Sequence, residues 1–315
     1  MTIGIAATGP WSGAGILAGL RAVEAIGRGA IGGFVSLAVL TTGQKLVRAE
    51  TQTGGTQGLF ADLPPEEILD APFAALISSG PNRPSPLSQF VAAAPGIGLV
   101  TGHRFPHVAT DDGHALNDLI LDAMRRGVPA QDAIDHVVTA HPGFDAGFIA
   151  LSAKGDLGLG NMPSVLRLSD QGAALRDCPD LGASVATLHN AVHPSKAIAT
   201  VANEVVLDEI RRRDTPLQTI TLVAGTRIRL ADKVEIHVDG AFKATGVTHP
   251  NSQTLKSETS FGMGDRVRVV QFGKPIGWLG FEPYMVVKDG VIASLDGKPE
   301  ARLPVHLDTR PPTGP

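Results

Sequence analysis

Residues 2–23, TIGIAATGPWSGAGILAGLRAV, place a short apolar stretch directly before a helical pattern. The stretch TIGIAA contains small and aliphatic residues and is followed by Gly9-Pro10, which predicts a short buried strand. The next residues repeat apolar side chains at the spacing of one helix face, at Ile16, Leu17, Leu20 and Val23. The first two elements are therefore predicted to be a buried strand and the helix that follows it.

Further strands and helices are predicted on the C-terminal side of this unit. Residues 30–40 form an apolar run, and residues 45–50 alternate as expected of its partner strand. Residues 96–101 predict another buried strand, helical patterns follow at 113–126 and 130–140, and residues 146–161 form a hairpin pattern. Residues 62–95 are rich in proline and weakly periodic, so we expect them to cover a surface. Together these patterns predict an α/β (α+β) protein.

The chain changes character in its last third. A helical pattern begins at Ser195, and beyond residue 215 the sequence consists of short β-rich runs separated by glycine and proline. We therefore predict a first domain over residues 1–190 and a second, made of a helix and a β-rich region, over residues 191–305. Residues 306–315 lack an apolar anchor and are predicted to be a loose tail.

The composition is that of a compact globular protein. Hydrophobic residues make up 43% and charged residues 18% of the chain, and the net charge of -4 includes no basic run. Nucleic acid and a membrane are therefore not expected as partners. The single cysteine, Cys178, cannot form an internal disulfide, and the first residues lack a signal-peptide pattern, so we expect a cytoplasmic location.

Polar side chains are most concentrated directly after the strand predicted at residues 96–101. His103, His107, Asp112 and His114 lie in this stretch, and loops that follow buried strands often hold functional sites. Histidine and carboxylate side chains also suit zinc, although His103 and His107 flank a proline instead of sharing a helix face. Asp112 has an alternative role as the cap of the helix that starts near Ala115.

Two further segments are candidates for substrate contacts. The backbone N–H groups of Gly54, Gly55 and Thr56 can bind an anionic group, although the segment has no nucleotide-binding pattern and also suits a flexible turn. Asp145 follows His141 closely before the predicted hairpin. These two side chains are either an acid–base pair or parts of a tight turn.

Several motifs occur in an order that resembles a known superfamily. They are TGH at residues 101–103, DGHALN at 112–117, the two following helices, AGFIAL at 146–151 and GDL at 155–157. This order resembles the N-terminal-nucleophile (Ntn) hydrolases, in particular an uncharacterised bacterial Ntn-like family. The glycine spacing between Gly15 and Thr56 is similar to the γ-glutamyltransferase and isoaspartyl-peptidase branches. The resemblance implies a four-layer αββα sandwich followed by a β-rich C-terminal part. It also implies amide hydrolysis by a Thr, Ser or Cys whose free α-amino group is the base.

The chain departs from these two branches at the expected nucleophile. There the nucleophile opens the strand before the late hairpin, whereas this chain has Phe144, Asp145 and Ala146, without a hydroxyl or thiol. Thr2 is left as the nucleophile if Met1 is removed, because an α-amine with a pKa of about 8 can accept the hydroxyl proton. The alternative is that Thr2 is a plain strand residue.

The leading hypothesis is an amidohydrolase that acts on a small amide, lactam or short peptide and needs no cofactor. Its predicted catalytic residues are Thr2, Thr101, His103 and Asn117, and its predicted substrate-binding residues are Gly54, Gly55, Thr56, Asp112, His114 and Asp145. The first alternative is a non-catalytic Ntn-like binding or assembly protein that forms homo-oligomers through the part from residue 216 onward. The second is a metal-assisted hydrolase centred on His103, His107 and Asp112.

Overall fold

The computed structural model describes residues 2–214, 217–255, 258–264 and 267–307 of an α+β fold. The chain divides into two compact units, Met1–Asp214 and Thr215–Pro315. The helices described in the first unit are α1 (Ser12–Ile26), α2 (Gly55–Gly58), α3 (Glu66–Leu69), α4 (Leu116–Arg125), α5 (Ala130–Ala140), α6 (Pro163–Leu166) and α7 (Ser195–Asp214). Its strands are β1 (Thr2–Thr8), β2 (Val35–Leu40), β3 (Leu46–Thr51), β4 (Phe73–Ser79), β5 (Ala92–Ala94), β6 (Gly98–Arg104), β7 (Ala146–Ser152), β8 (Leu157–Asn161), β9 (Gln171–Cys178) and β10 (Ala183–Asn190).

The ten strands form two antiparallel sheets. The first has six strands in the order β3-β2-β4-β1-β10-β9, so that β1 lies in its middle. The second has four strands in the order β5-β6-β7-β8, in which the predicted hairpin pairs β7 with β8. The two central strands of the first sheet, β4 and β1, are buried on both faces. This agrees with their sequences, in which polar and apolar residues do not alternate.

The two faces of β1 contact different parts of the unit. Ile3 and Ile5 join the core that α1 and α7 form on one face of the six-stranded sheet. Ala6, on the other face, packs with Leu99 and Ile149 of the four-stranded sheet. Because alternate residues of a strand point to opposite faces, Thr2 and Gly4 point in the same direction as Ala6, toward the four-stranded sheet.

The helices α4 and α5 cover the remaining face of the four-stranded sheet. Ile120 of α4 and Ile134 of α5 are fully buried with Val100 and Phe148 of the strands. The helical patterns at residues 113–126 and 130–140 predicted both helices. Gly127, where the first pattern was expected to stop, follows α4 in a left-handed conformation with φ 91°.

The structure differs from the sequence prediction in two stretches. Residues 62–95, which were expected to cover a surface, contain β4, a buried strand beside β1 in the middle of the sheet. No element is predicted over residues 162–192, yet they contain β9 and β10, and β10 is the other neighbour of β1.

The second unit is built of strands. They are β11 (Leu217–Val223), β12 (Ile228–Leu230), β13 (Glu235–Val238), β14 (Ala244–His249), β15 (Thr259–Gly262), β16 (Arg268–Gln271), β17 (Lys274–Leu279), β18 (Tyr284–Lys288), β19 (Val291–Leu295) and β20 (Glu300–His306). A seven-stranded sheet has the order β11-β20-β17-β16-β13-β14-β12, and β15, β18 and β19 form a smaller sheet. The unit has an apolar core of its own, which includes Ile236, Val269 and Leu303.

The boundary between the units lies later than the predicted boundary at residue 190. Ile198, Val206 and Ile210 of α7 belong to the core on β1, so this helix is part of the first unit. Of the predicted tail, residues 308–315 lie outside the described part of the chain. None of the helices in the described part has the length and apolar character needed to cross a membrane.

Candidate functional site

A row of buried polar side chains crosses the end of the six-stranded sheet. Thr2 of β1 is paired in register with Ser79 at the end of β4 and with Asn190 at the end of β10. Directly paired residues share a face of the sheet, so all three side chains point toward the four-stranded sheet. Their exposures are 7% for Thr2, 1% for Ser79 and 3% for Asn190. Buried polar side chains placed side by side make this row the strongest candidate for a functional site.

A hydrogen-bonded pair faces the row from the four-stranded sheet. His103 of β6 and Asn161 of β8 are both in register with Gly147 of the intervening strand β7. Their side chains meet across that strand, with 2.7 Å between Nε2 of His103 and Oδ1 of Asn161. A Cβ atom on Gly147 would lie 2.3 Å from this Nε2 and 2.1 Å from this Oδ1. The pair therefore requires glycine at position 147.

The His103 ring is neutral at physiological pH. Burial lowers its pKa from 6.5 to about 4, against a smaller opposing effect of the Asn161 and Asn190 side chains. An amide oxygen can only accept a hydrogen bond, so Nε2 carries the proton and Nδ1 has a free lone pair. Within the described part of the chain, neither this Nδ1 nor Oδ1 of Asn190 has a hydrogen-bond partner of acceptable geometry. The ring thus presents an acceptor beside the Asn190 amide.

The two sheets touch directly next to Thr2. A Cβ atom on Gly4 would lie 2.3 Å from the carbonyl oxygen of Gly102 in β6, so a larger residue does not fit there. Backbone therefore packs on backbone at this point. The contact places the polar row of one sheet opposite the His103–Asn161 pair of the other.

A cavity of about 290 Å³ opens beside Thr2. Aromatic and charged side chains share its wall, which is formed by Thr2, Phe34, Ile77, Arg83, Pro84, Phe90, Arg104, Phe105 and His107. Burial lowers the pKa of His107, so its ring contributes no charge near neutral pH. A wall that combines apolar side chains with a few polar groups is typical of sites for small molecules.

The two arginines of the cavity have different surroundings. Arg104 forms a two-bond ion pair with Asp145 and has a left-handed backbone conformation, with φ 64°. Such a conformation is uncommon for a residue with a long side chain and often occurs at functional sites. Arg83 donates from its guanidinium to the hydroxyl of Ser79, the neighbour of Thr2 in the polar row.

The structure brings Thr2 and His103 to this site but not the other two predicted catalytic residues. Thr101 is fully buried, and its hydroxyl donates to the carbonyl of Leu76 at 2.9 Å, which ties the two sheets together. Asn117 lies in the first turn of α4, where its side chain donates to the carbonyl of Gln89 at 2.9 Å. Both side chains are thus occupied by hydrogen bonds to the backbone that hold the fold together.

The predicted substrate-binding segment at residues 54–56 already binds a carboxylate of the protein itself. The backbone N–H of Thr56 donates to Glu24 of α1 at 3.0 Å, and the Thr56 hydroxyl donates to the same carboxylate. The N–H of Gly55 donates to the carbonyl of Gly33 at 2.8 Å, and Gly54 precedes α2 with φ 83°. The segment therefore attaches a loop to α1 and does not line the cavity.

The predicted polar cluster after β6 is divided in the structure. Asp112 and His114 are exposed on a turn, where the Asp112 carboxylate accepts a hydrogen bond from Thr110. The N-cap position of α4 is Ala115 and has no side-chain hydrogen bond, so the capping role expected for Asp112 is not observed. His141 and Asp145 were expected to form either an acid–base pair or parts of a tight turn. In the structure the Asp145 carboxylate binds Arg104 instead of His141.

The arrangement required for a metal site at His103, His107 and Asp112 is also absent. The His103 ring bonds to Asn161, His107 lines the cavity, and Asp112 lies on the exposed turn. Throughout the described ranges, no group of three or more His, Cys, Asp or Glu side chains is arranged to hold a metal ion.

Sequence reasoning missed the residues that complete the site. Ser79 and Asn190 end the two strands that the sequence patterns did not reveal, and Arg83 follows one of them. A signal was present in the stretch FAALISS at residues 73–79, whose continuous apolar character is typical of a strand buried on both faces. No comparable signal marks Asn161, whose role depends on its distant partner His103.

The chain is therefore a two-unit α+β protein in which buried polar side chains lie between the sheets of the first unit. The chain belongs to the family described as domain of unknown function DUF6963, whose model matches residues 2–219. Residues 225–300 match a second domain of unknown function, DUF7259. No curated protein matches the chain.

Proposed function

We propose that the protein is an Ntn-type amidohydrolase that cleaves a small amide, with Thr2 as its nucleophile. In this proposal the first unit is a four-layer αββα sandwich. The arrangement of its cores supports this, since α1 and α7 pack on the six-stranded sheet, the two sheets pack on each other, and α4 and α5 pack on the four-stranded sheet.

The position of Thr2 is the observation that carries the proposal. Thr2 begins β1, one of the two central strands of its sheet, lines the cavity, and lies between two other buried polar side chains. A nucleophile needs well-ordered surroundings and an opening to the substrate, and this position offers both. Within the described residues, the Thr2 hydroxyl makes no hydrogen bond that occupies it.

The proposed reaction uses the α-amino group of Thr2 after removal of Met1. The neutral amine accepts the hydroxyl proton as the Thr2 oxygen attacks the amide carbon, and it then donates this proton to the leaving nitrogen as the C–N bond breaks. Water hydrolyses the resulting ester, with the amine again as base, and the carboxylic acid product leaves. With a pKa of about 8, an α-amine is sufficiently deprotonated near neutral pH.

Two neighbours assist this reaction in the proposal. The Asn190 side chain, in register with Thr2, supplies an amide N–H to the oxyanion that forms on the substrate carbonyl. The neutral His103 ring lies beside the Asn190 side chain and positions it by contact. His103 is thus a positioning residue and does not transfer a proton.

The experiment compares Thr2→Ser with Thr2→Val. Both variants keep a small second residue, so both permit removal of Met1, but only serine keeps a hydroxyl. We expect intact-mass spectrometry to show the loss of Met1 in the unsubstituted protein and in both variants. Release of p-nitroaniline from acetyl and succinyl p-nitroanilides should persist in Thr2→Ser and fall at least about 1,000-fold in Thr2→Val, as when a nucleophile is deleted.

Two results would contradict the proposal. One is retention of Met1 in the purified protein, because an acylated amine cannot act as a base near pH 7. The other is hydrolysis by Thr2→Val at the rate of the unsubstituted protein. Either result would favour the non-catalytic alternative.

A further inference from the structure

Arg83 gives the cavity a positive charge that no acidic side chain of the described residues balances. Arg104, the other arginine of the wall, is paired with Asp145. Arg83 forms no ion pair with any residue in the described part of the chain. It is half-buried, so solvent screens its charge less than that of an exposed arginine. A half-buried cation without a counter-ion at a cavity wall is suited to bind an anion.

The protein holds Arg83 firmly in this position. The Gln52 side chain makes two hydrogen bonds of 2.8 Å with the Arg83 backbone, accepting from its N–H and donating to its carbonyl. The guanidinium donates to Ser79 and lies 5.9 Å from the centre of the Phe34 ring. Because a guanidinium has five N–H donors, most of them remain for a ligand. Fixing the side chain in advance reduces the entropy lost when a ligand binds.

We infer that Arg83 binds a carboxylate group of the substrate, and that the protein therefore selects small amides that carry a carboxylate. A single guanidinium matches a carboxylate in charge and in its planar, two-bond geometry. A phosphate monoester would bring about two negative charges and leave one of them unbalanced in the cavity. The apolar part of the wall, with Phe34 and Phe90, suits a short hydrocarbon link between the two ends of such a molecule.

The polar row limits the length of that link. Arg83 bonds to Ser79, which is paired directly with Thr2, and the Cβ atoms of such pairs are about 5 Å apart. The carboxylate and the amide carbon attacked by Thr2 are therefore separated by only a few bonds. Cleavage of such an amide rests on the proposed function, whereas binding of the carboxylate does not.

Calorimetry with the full chain tests the inference. Malonamate, succinamate and glutaramate are short amides with a carboxylate, and each has a neutral diamide of nearly the same shape. They are titrated into the Thr2→Val protein, in which cleavage cannot interfere. We expect at least one of the three to bind about 10-fold to 100-fold more tightly than its diamide, the range for a charge-assisted hydrogen bond.

Arg83→Gln should abolish this preference, and Arg83→Lys should retain part of it. The matched control is Arg126→Gln at the exposed end of α4, which should leave the preference unchanged. Circular dichroism of each variant checks that it is folded.

Each outcome decides the inference. Equal affinity for acid and diamide, or no binding of any acid at millimolar concentration, overturns it, as does a preference that survives in Arg83→Gln. Inorganic phosphate that binds more tightly than every acid would show that the charge serves a phosphate instead. A carboxylate preference in a protein that hydrolyses no amide would support this inference while rejecting the proposed function.

Discussion

Gly147 lies between His103 and Asn161, and its missing side chain leaves room for their hydrogen bond. We expect Gly147→Ala to lower the free energy of unfolding by about 2–4 kcal/mol, since the new methyl group overpacks the site and separates the buried pair. Urea unfolding at pH 7 measures the change. If the variant hydrolyses p-nitroanilides at all, its rate should fall as well.

Gly143→Ala is the matched control for this prediction. Gly143 lies on the exposed turn before β7, and a Cβ atom there would meet nothing within 4 Å. Its free energy of unfolding should stay within about 0.5 kcal/mol of the unsubstituted protein. Equal effects of the two substitutions would mean that the His103–Asn161 pair has no structural importance.

The buried His103 ring also predicts a dependence of stability on pH. The unfolded chain binds a proton at His103 with a pKa of 6.5, but the folded protein does so only at about 4. The unfolded state therefore gains protons first as the pH falls, and stability decreases from pH 6.5 toward pH 4. Between pH 7.5 and pH 5.5, His103 alone should lower the free energy of unfolding by roughly 1 kcal/mol.

Unfolding of the unsubstituted protein and of His103→Gln at several pH values checks this expectation. His107 and His189 also have lowered pKa values because of burial, and they contribute in the same direction. His103→Gln should therefore depend less steeply on pH, whatever its stability at pH 7.5. Identical slopes for the two proteins would show that the ring is accessible to protons in the folded state.

At the scale of the elements, the sequence predicted those whose pattern is local. The helices α1, α4, α5 and α7 repeat apolar residues on one face, and the β7–β8 hairpin has glycine at its turn. The strands β4 and β10 carry no such pattern, because both of their faces are buried between other layers. Their places in the sheet depend on pairing with β1, which is far away in the sequence.

The same limit explains which site residues were predictable. Thr2 and His103 were predictable because Thr2 begins a clearly apolar strand and His103 lies in the polar stretch directly after another. Asn190 and Ser79 became part of the site only through their register with Thr2. Asn161 is 58 residues from His103 in the sequence, and nothing local connects the two. Pairing between distant segments, which no periodicity reveals, therefore decided the composition of the site.

At the scale of the whole molecule, each unit has its own apolar core. Among the residues that the structure describes, the clusters that surround β1 and β6 contain none beyond Ile210, and the core of the second unit begins at Ile220. A chain ending at residue 214 should therefore fold by itself and unfold in one cooperative step. Circular dichroism and thermal unfolding of residues 1–214 measure this. A broad transition, or loss of the near-ultraviolet signal, would show that the first unit depends on the second.

The contact between Gly4 and Gly102 affects how freely the rest of the sequence can change. Elsewhere between the sheets, the spacing depends on the sizes of side chains such as Ala6 and Leu188, and it shifts when they are replaced. Beside Thr2 the spacing depends only on the radii of backbone atoms. Substitutions of core side chains can therefore accumulate over evolution without moving Thr2 away from His103. Distant relatives with the same site should be recognisable by this pair of glycines even where their cores share little sequence.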